Sequence, residues 1–389
     1  MTNSERRIAA LQNLLAEEEL DGMLLATSAS FVYLLDMATL PFQRTSVTKN
    51  QRGIPSIEAL NAPDAILYVP CDGACRLICV PWREQSLAAS PVRPEAEFID
   101  RFADALRRFV RGKRFASGDC CAAWMTNLVK EFLPDADVVP GEALVESLRR
   151  RKDEKEIAIL SRAAALTDAI MDKVAERLRP GITSPEVEEL LVRFGIEAGA
   201  QDLAFGPAGM FTQAGTPEAQ ILGGCPRDAR LAPGTSVAFD FGYIFDGYAS
   251  DFGRSFHCGP APAHLREGYA ALQAAQCRMI DSIVPGVTNI RDIDGMVRAE
   301  VTRLGFGEQM TNKDKGVIGH QIGIDVHEMP WMNKFVNFVL EPGMVFCSEP
   351  KMWFPGECYM RVEDMVLVKE KGAVSLTHCS RDRFELPVE

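Results

Sequence analysis

The segment 235-TSVAFDFGYIFDGYASDFGRSFHCG-259 contains two aspartates, Asp240 and Asp251, that lie eleven residues apart. The residues before Asp240 are strand formers, and residues 245–251 are predicted to form the return strand after a turn. An antiparallel hairpin of this length brings both carboxylates to one place. Two carboxylates in apolar surroundings repel each other and are costly to desolvate, and a cation between them removes both costs. The segment therefore predicts a pair of metal ligands, with an ordinary hairpin and one structural aspartate as the alternative.

The composition is that of a globular protein without a membrane or nucleic-acid signature. The 389 residues predict two or more domains, and the 47% apolar and 25% charged fractions are typical of soluble chains. A net charge of −12 argues against nucleic acid and anionic membranes as partners. No apolar run approaches the roughly 20 residues of a membrane span, and the charged N-terminal segment is unlike a signal peptide.

The eleven cysteines are an odd number and form no paired C-x-x-C motifs of the zinc type. A cluster at Cys71, Cys75 and Cys79 is interrupted by a predicted turn at Asp72-Gly73 between two strands. We therefore expect free thiols, a reducing compartment and a cytoplasmic protein.

Residues 1–145 show alternating helical and strand patterns, which predict an α/β domain. Helices are expected at 4–19, 28–37, 97–110 and 122–132, and strands at 22–27, 65–70, 76–81, 114–118 and 136–139. The segment contains no glycine-rich phosphate loop and no dinucleotide fingerprint. Residues 37–62 are polar and irregular, and a loop there could reach over a site.

A second domain is predicted for residues 146–389. A dense charge run ends the first domain, and a long amphipathic helix follows. Its predicted apolar face consists of Ile157, Leu160, Ala164, Ile170 and Val174. We expect Ser184 to cap the next helix. Beyond residue 200 the pattern predicts strands at 237–241, 244–250, 254–257, 317–326, 344–348 and 359–368, interrupted by helices at 263–283 and 289–304. This order predicts an α+β domain built on an antiparallel sheet.

Three more side chains in this domain are candidate metal ligands. His320 lies between Gly319 and Gly323, which allow close backbone approach. Glu349 ends the apolar strand Met344–Cys347 and precedes a proline. Glu363 lies near the middle of a predicted strand and shares one face with Arg361, so that a salt bridge between the two is the structural alternative.

The candidate set is thus four carboxylates and one imidazole, namely Asp240, Asp251, His320, Glu349 and Glu363. Oxygen-rich ligation with one imidazole suits Mn, Fe, Co or Zn, and four negative charges balance two divalent ions. Such a pair of ions lowers the pKa of a bridging water and makes hydroxide a nucleophile near neutral pH. We expect structural roles for His264 and His378, whereas the residues leave the role of His257 open.

The motifs occur in an order that resembles the M24 metallopeptidase superfamily, which includes Xaa-Pro aminopeptidase, prolidase, methionine aminopeptidase and the metal-free creatinase. The resemblance covers nearly the whole chain and rests on GYxSDFGRSF, GHxIGxDVHExP, SEP and RxED, with the segments 149–160 and 364–377 at its ends. It implies a C-terminal domain with the pita-bread fold. It also implies an N-terminal α/β domain of creatinase/prolidase type that mediates dimerisation and helps to wall the active site.

The resemblance implies a role for each motif residue. In the dinuclear site it implies, Asp240 is bidentate, Asp251 bridges, His320 binds one metal, and Glu349 and Glu363 lie at the shared edge. Besides being a ligand, Glu349 matches the position of the family's candidate general base. His327 matches the histidine that stabilises the developing oxyanion. Arg361 matches the arginine that is the partner of the glutamates. The activity implied is amide hydrolysis of the Xaa-Pro dipeptidase or aminopeptidase type by metal-bridging hydroxide, in a homodimer acting on short peptides or small molecules.

Two positions depart from the prolidase pattern. Gly223 and Gly316 stand where members of the group often have histidines that hold the substrate. We expect the glycines to leave room and to remove two donors, and loss of one such donor can cost about 100-fold in rate. A non-peptide C–N hydrolase or a metal-dependent lyase of a small metabolite is therefore the second hypothesis. A non-catalytic binding module is the third, and retention of all five ligands argues against it and against metal-free catalysis.

Overall fold

The computed structural model describes residues 1–36, 63, 65–79, 102–119, 122–213, 215–217, 226, 228–311, 316–381 and 383–388. The chain divides into two compact units, Met1–Arg149 and Arg150–Glu389. The division lies four residues after the boundary expected at residue 145, because the helix Glu142–Arg149 belongs wholly to the first unit. The predicted loop at 37–62 and the position Gly223 lie outside the described residues.

The first unit has the α/β pattern expected from the sequence. Its helices are α1 (Asn3–Glu17), α2 (Ala29–Leu35), α3 (Phe102–Phe109), α4 (Ala122–Lys130) and α5 (Glu142–Arg149), and its strands are β1 (Gly22–Ala26), β2 (Ala65–Pro70), β3 (Arg76–Cys79), β4 (Arg114–Ser117) and β5 (Asp137–Pro140). The five strands form one sheet in the order β3-β2-β1-β4-β5. β1 lies at its centre, antiparallel to β2 and parallel to β4, and all five of its residues are buried.

The second unit begins with two helices whose first turns explain where they start. In α6 (Glu154–Ala175), Asp153 and Glu156 form a capping box, which satisfies two backbone N–H groups that the helix cannot. The helix α7 (Ser184–Glu197) is capped by Thr183, and the prediction of Ser184 was wrong by one residue. Thr183 forms a capping box with Glu186, three positions later. The Ser184 hydroxyl instead donates to the carbonyl of Gly209 at 2.9 Å.

The remaining elements form the α+β arrangement that the sequence predicts, with one parallel strand pair among antiparallel ones. The strands are β6 (Asp202–Leu203), β7 (Ala208–Thr212), β8 (Ser236–Asp240), β9 (Tyr243–Phe245), β10 (Tyr248–Ala249), β11 (Ser255–Cys258), β12 (Val317–Gln321), β13 (Glu328–Asn333), β14 (Val345–Ser348), β15 (Lys351–Phe354), β16 (Cys358–Arg361), β17 (Asp364–Val368), β18 (Ala373–Ser375) and β19 (Glu385–Leu386), and the helices are α8 (Ala263–Asp281) and α9 (Ile290–Arg303). They form sheets in the orders β10-β9-β6, β19-β11-β8-β7, β13-β12-β14-β17-β18 and β15-β16.

Two apolar clusters form the core of this unit. One lies under α8 and α9 and includes Leu272, Val297 and Phe346, and the other joins α6 and α7 to the strands β8–β11 through Met171, Leu191 and Phe239. Among the helices that the structure describes, none combines the length and the apolar run that a membrane span requires.

Asp168 on α6 is a buried carboxylate outside the candidate site, and it predicts a pH effect on stability. It accepts a hydrogen bond from the backbone N–H of His378, but burial raises its pKa from the ordinary 3.8 to about 6. A raised folded-state pKa gives stability that is present below pH 3.8 and is lost as pH rises through about 6. Asp168→Asn removes the buried charge and is expected to stabilise the protein by about 1–3 kcal/mol at pH 8, with a smaller gain at pH 5.

Urea unfolding of both proteins at the two pH values measures this difference. Asp228→Asn, which changes an exposed aspartate, is the control and is expected to have no effect. An equal effect of Asp168→Asn at pH 5 and pH 8 would contradict the prediction.

Candidate metal centre

Asp240 and Asp251 are positioned by one long hairpin that runs from β8 to β11. A single register pairs Ala238 with Ser255, Phe241 with Phe252, and Phe245 with Tyr248. The same register places Gly253 opposite Asp240 and Gly242 opposite Asp251. A Cβ at Gly242 would lie 2.0 Å from the Ser250 carbonyl oxygen, and one at Gly253 would lie 2.4 Å from the Arg361 side chain. Glycine is therefore needed opposite each aspartate.

Glu363 reaches this hairpin because the strand expected at 359–368 is two strands. β16 pairs with β15 as far as Arg361, and β17 pairs with β14 from Asp364 onward. In the break between them, the backbone N–H of Glu363 donates to the carbonyl of Gly253 at 2.9 Å. The buried Arg254 guanidinium also donates to the Glu363 carbonyl at 2.7 Å and to the Asp364 carboxylate at 2.5 Å. Glu363 is thus fixed directly beside the two aspartates.

His320 and Glu349 lie on neighbouring strands of the five-stranded sheet. β12 ends at Gln321 rather than at the expected residue 326, and it pairs His320 with Cys347 of β14. Glu349 follows β14, and its N–H donates to the Ile318 carbonyl at 2.8 Å. His320 Nδ1 lies 3.1 Å from the Gln321 carbonyl, which assigns the proton to Nδ1 and leaves Nε2 directed at Asp251, 3.3 Å away.

The structure brings all five predicted ligands together. The side chains of Asp251, His320, Cys347 and Glu363 are buried and place one ligand atom each within 4.8 Å of the others. The Arg361 guanidinium connects the remaining two to this group. It contacts Asp240, lies 3.0 Å from Glu363 and lies 3.5 Å from Glu349. The salt bridge considered as an alternative role for Glu363 is present and forms part of the same cluster.

The pKa shifts in the cluster indicate that its buried carboxylates have too little positive charge beside them. Burial and the nearby carboxylates of Asp240 and Glu349 raise the pKa of Asp251 well above its usual range. Burial and Asp251 do the same for the pKa of Glu363. One Asp251 carboxylate oxygen is buried and has no hydrogen-bond partner among the residues that the structure describes. Divalent cations fit this donor set, because they would neutralise the carboxylates and occupy the unpaired oxygen.

Two residues of the centre were missed in the sequence. Cys347 has its thiol among the ligand atoms, and its pairing with His320 was not visible before the strand register was known. Lys351 contacts the Glu349 carboxylate. Burial disfavours ionised Glu349, but Lys351 and Arg361 lower the pKa of Glu349 to about 2. The sequence signal for Lys351 was its position two residues after the candidate ligand Glu349, at the start of the next strand, β15.

His327 lies beside the cluster, as its expected role requires. Its ring centroid is 4.3 Å from that of His320 and 4.8 Å from that of Trp331. Burial and His320 lower the pKa of His327 to about 4, so the imidazole is neutral at pH 7. Glu328 follows His327, and its carboxylate accepts a hydrogen bond from the Ile324 N–H and pairs with the buried Lys152 at 2.8 Å. These two contacts hold the segment 324–328 in place. A neutral, fixed imidazole can donate one N–H to a substrate oxygen.

Gly316 does not leave the room expected of it. Its φ of +57° favours glycine, and an added Cβ would lie 2.9 Å from Cδ of Lys334 and 3.3 Å from the Asp294 carboxylate. Neither His257 nor His264 takes the place of the histidine expected at residue 316. His257 is buried with Nδ1 2.9 Å from the Gly259 carbonyl, and the exposed His264 pairs with Glu357 at 2.8 Å. The Tyr248 hydroxyl does not take the place of the expected histidine either, because it donates to Glu156 at 3.0 Å.

Residues 158–370 match the family model described as "Metallopeptidase family M24". The chain is 33% identical over 263 residues to the "Probable dipeptidase PepE" of Mycobacterium tuberculosis strain H37Rv, covering 66% of this chain and 68% of the relative. It is 31% identical over 258 residues to the "Xaa-Pro dipeptidase" of Lactobacillus delbrueckii subsp. lactis, with coverage of 66% and 68%.

Solved structures are similar over almost the full length. A Xaa-Pro dipeptidase from Bacillus anthracis superposes with a TM-score of 0.83 at 24% identity, covering 99% of this chain and 100% of that one. The prolidase from Pyrococcus horikoshii OT3 gives a TM-score of 0.79 at 20% identity, with coverage of 97% and 100%. At these identities the similarity concerns the fold, and it confirms the two-domain pita-bread architecture that the motifs implied.

Proposed function

The chain belongs to metallopeptidase family M24, and from this premise we propose that it is a dinuclear dipeptidase or aminopeptidase that cleaves short peptides before proline. Membership of this metallopeptidase family, together with relatives named as dipeptidases, makes the protein a metal-dependent hydrolase. Xaa-Pro specificity is supported by the "Xaa-Pro dipeptidase" among its relatives. The dinuclear site is supported by the buried cluster of carboxylates, in which one Asp251 oxygen has no hydrogen-bond partner within the described part of the chain.

The proposed ligands of the two divalent ions are the four carboxylates and the imidazole already described. We propose Mn, Co, Fe or Zn, because oxygen donors with one imidazole suit these ions. Asp240, Asp251, His320, Glu349 and Glu363 would hold the ions. Bound there, the ions would lower the pKa of a water and polarise the scissile carbonyl.

The protein residues supply proton transfer and charge stabilisation. Glu349 would accept the proton of the attacking water and return it to the leaving nitrogen, so that one water is added across the amide. His327 would donate its N–H to the oxygen on which negative charge develops. Arg361 contacts Asp240 and lies within 3.5 Å of Glu349 and Glu363, and it would keep these side chains in place.

His327→Ala is expected to lower kcat about 100-fold or more while leaving the metal content unchanged, since it removes an oxyanion donor and no ligand. Steady-state kinetics and elemental analysis of the same preparation measure the two effects. His264→Ala is the control, because His264 pairs with Glu357 at the surface. Loss of metal in His327→Ala would instead assign His327 to the ligand shell.

A panel of Ala-Pro, Gly-Pro, Ala-Ala and Pro-Ala, each with Mn- or Co-loaded enzyme, tests the proposed specificity. We expect turnover of the two Xaa-Pro substrates, loss of activity with EDTA and recovery on adding metal. If the purified protein holds two metal ions and cleaves none of the peptides, the peptidase proposal fails. The small-metabolite hydrolase or lyase then becomes the leading hypothesis.

We also propose that the enzyme is a cytoplasmic homodimer. The resemblance implies that the N-terminal unit mediates dimerisation, and the cysteines that the structure describes are free thiols, as a reducing compartment favours. Light scattering is expected to give twice the mass of the chain, and a monomeric mass would contradict the assembly.

A further inference from the structure

Cys347 brings a thiol to the metal centre, and none of the roles described so far uses it. It is the strand partner of His320, so the two side chains lie on the same face of the sheet. The residue is fully buried. Its sulfur lies within 4.8 Å of one ligand atom each of Asp251, His320 and Glu363. The thiol therefore belongs to the same group of donor atoms as three of the proposed ligands.

A buried cysteine usually serves as a small apolar side chain. Cys258, Cys358 and Cys379 fit that description, because each is buried within one of the two apolar clusters of this unit. Cys347 is in neither of these clusters. The alternation along β14 directs its neighbour Phe346 into the cluster under α8 and α9, and it directs Cys347 to the opposite face, where the carboxylates lie. Packing in an apolar core thus does not explain the position of this cysteine.

A separate observation on Asp251 indicates that a cation binds next to the thiol. The Asp251 side chain is 4% exposed, and one of its carboxylate oxygens has no hydrogen-bond partner among the described residues. Its other oxygen lies 3.3 Å from Nε2 of His320, the ring nitrogen that carries no proton. A cation bound by Asp251, His320 and Cys347 would satisfy the oxygen, the nitrogen and the sulfur together.

The charges of the centre can accommodate one thiolate. Two divalent ions balance the four carboxylates of the proposed ligand set. Lys351 and Arg361 also contact these carboxylates, so two further positive charges are present when both ions are bound. A hydroxide nucleophile neutralises one of them, and a thiolate would neutralise the other. The ion takes the place of the thiol proton, so that a sulfur–metal bond replaces the sulfur–hydrogen bond and one proton is released to water.

We propose that Cys347 is a sixth protein ligand of the metal centre and that its thiolate binds the ion held by His320. Because sulfur is a soft donor, this position takes a thiophilic divalent ion, zinc or cobalt, in preference to manganese. The inference rests on the proposed dinuclear function and narrows the choice of its metal. Cys347 is thus a residue that determines metal selectivity.

The absorption spectrum of the cobalt-loaded protein tests the sulfur–metal bond directly. We expect the near-ultraviolet charge-transfer band of a Co(II)–thiolate bond, and we expect both Cys347→Ser and Cys347→Ala to lose it. The visible bands of bound cobalt should persist in both variants, because the other ligands remain, and they show that the site is folded. Cys258→Ala removes a buried thiol from an apolar cluster and is the control, in which the band should be unchanged.

Competitive loading with zinc and manganese, followed by dialysis and elemental analysis, measures the selectivity. We expect the preference for zinc over manganese to fall at least about tenfold in Cys347→Ala and to be unchanged in Cys258→Ala. If the charge-transfer band survives in both Cys347 variants, or if the preference for zinc is unchanged, Cys347 is not a ligand. If no peptide is cleaved while the band depends on Cys347, the proposed function fails and the ligand assignment stands. Cleavage of peptides by a cobalt-loaded protein that lacks the band has the opposite meaning.

Discussion

Asp251→Asn is expected to lower kcat/KM at least about 1000-fold and to reduce the bound metal. The ions supply several kcal/mol of transition-state stabilisation, and each 1.4 kcal/mol corresponds to a tenfold change in rate. Asp251 lies at the centre of the cluster, within 4.8 Å of His320, Cys347 and Glu363 by their ligand atoms. Asparagine keeps the shape of the side chain but removes the negative charge.

The same substitution is expected to stabilise the metal-free protein. Burial and the carboxylates of Asp240 and Glu349 raise the pKa of Asp251, which means that its charge is unfavourable in the fold without cations. Removing that charge relieves the repulsion. Thermal unfolding in EDTA should therefore begin at a higher temperature for Asp251→Asn than for the unmodified protein, whereas added manganese should stabilise only the latter.

Asp246→Asn is the matched control for both measurements. Asp246 lies on the same hairpin, but it is 44% exposed and pairs with Arg162 at the surface. Its φ of +46° is one that asparagine also adopts readily. We expect neither activity nor metal content to change. Full metal content in Asp251→Asn would remove Asp251 from the ligand set.

Arg254→Met is expected to lower the free energy of unfolding by about 3–5 kcal/mol, because it leaves a buried carboxylate without its main partner. Arg254 and Asp364 have side chains that are 1% and 0% exposed. The guanidinium also donates to the carbonyls of Gly253 and Glu363. After the substitution, the partners that Asp364 retains among the described residues are Arg381 and Thr377, and the two carbonyls lose a donor.

Urea unfolding of the metal-loaded protein measures this loss. Arg266→Met is the control, because the pair Arg266–Glu385 is exposed and such pairs contribute about 0–1 kcal/mol. Arg254→Lys is expected to be intermediate, since lysine keeps the charge but cannot reach both carbonyls and the carboxylate. Equal effects of Arg254→Met and Arg266→Met would contradict the assignment.

The sequence predicted the elements of the fold where periodicity and turn residues agreed. The strand 65–70 was predicted correctly, because a buried run is a local property. The core face of α6 was predicted correctly except for Ile157, which is only half-buried. The strand expected at 359–368 was not, since its break depends on β15 and β14, which pair with its two halves. The strand expected at 244–250 is likewise two strands, β9 and β10, which pair across a turn at Asp246-Gly247. The missed strands are β6, β7, β13, β15, β18 and β19. Of these, β13 mixes exposed and buried positions without a simple alternation.

The candidate site was predictable to the extent that its residues belong to recognisable motifs. The five carboxylate and imidazole positions were found in this way, and the structure brings them together. Cys347 and Lys351 were not found, because each enters the site through strand pairing. Cys347 pairs with His320, which is far away in the sequence, and Lys351 pairs with Arg361 on the next strand. The effect of Gly316 was also misjudged. Whether a glycine leaves space depends on its neighbours, here Lys334 and Asp294, and not on the glycine itself.

The bridge between Gly253 and Glu363 has a consequence for the order of events during synthesis. The hairpin with Asp240 and Asp251 leaves the ribosome more than a hundred residues before Glu363 is made. Until then the two aspartates have neither Arg361 nor the imidazole beside them. With the proposed ligands, the nascent hairpin would hold two of the five, and we expect metal uptake only after the C-terminal strands have docked.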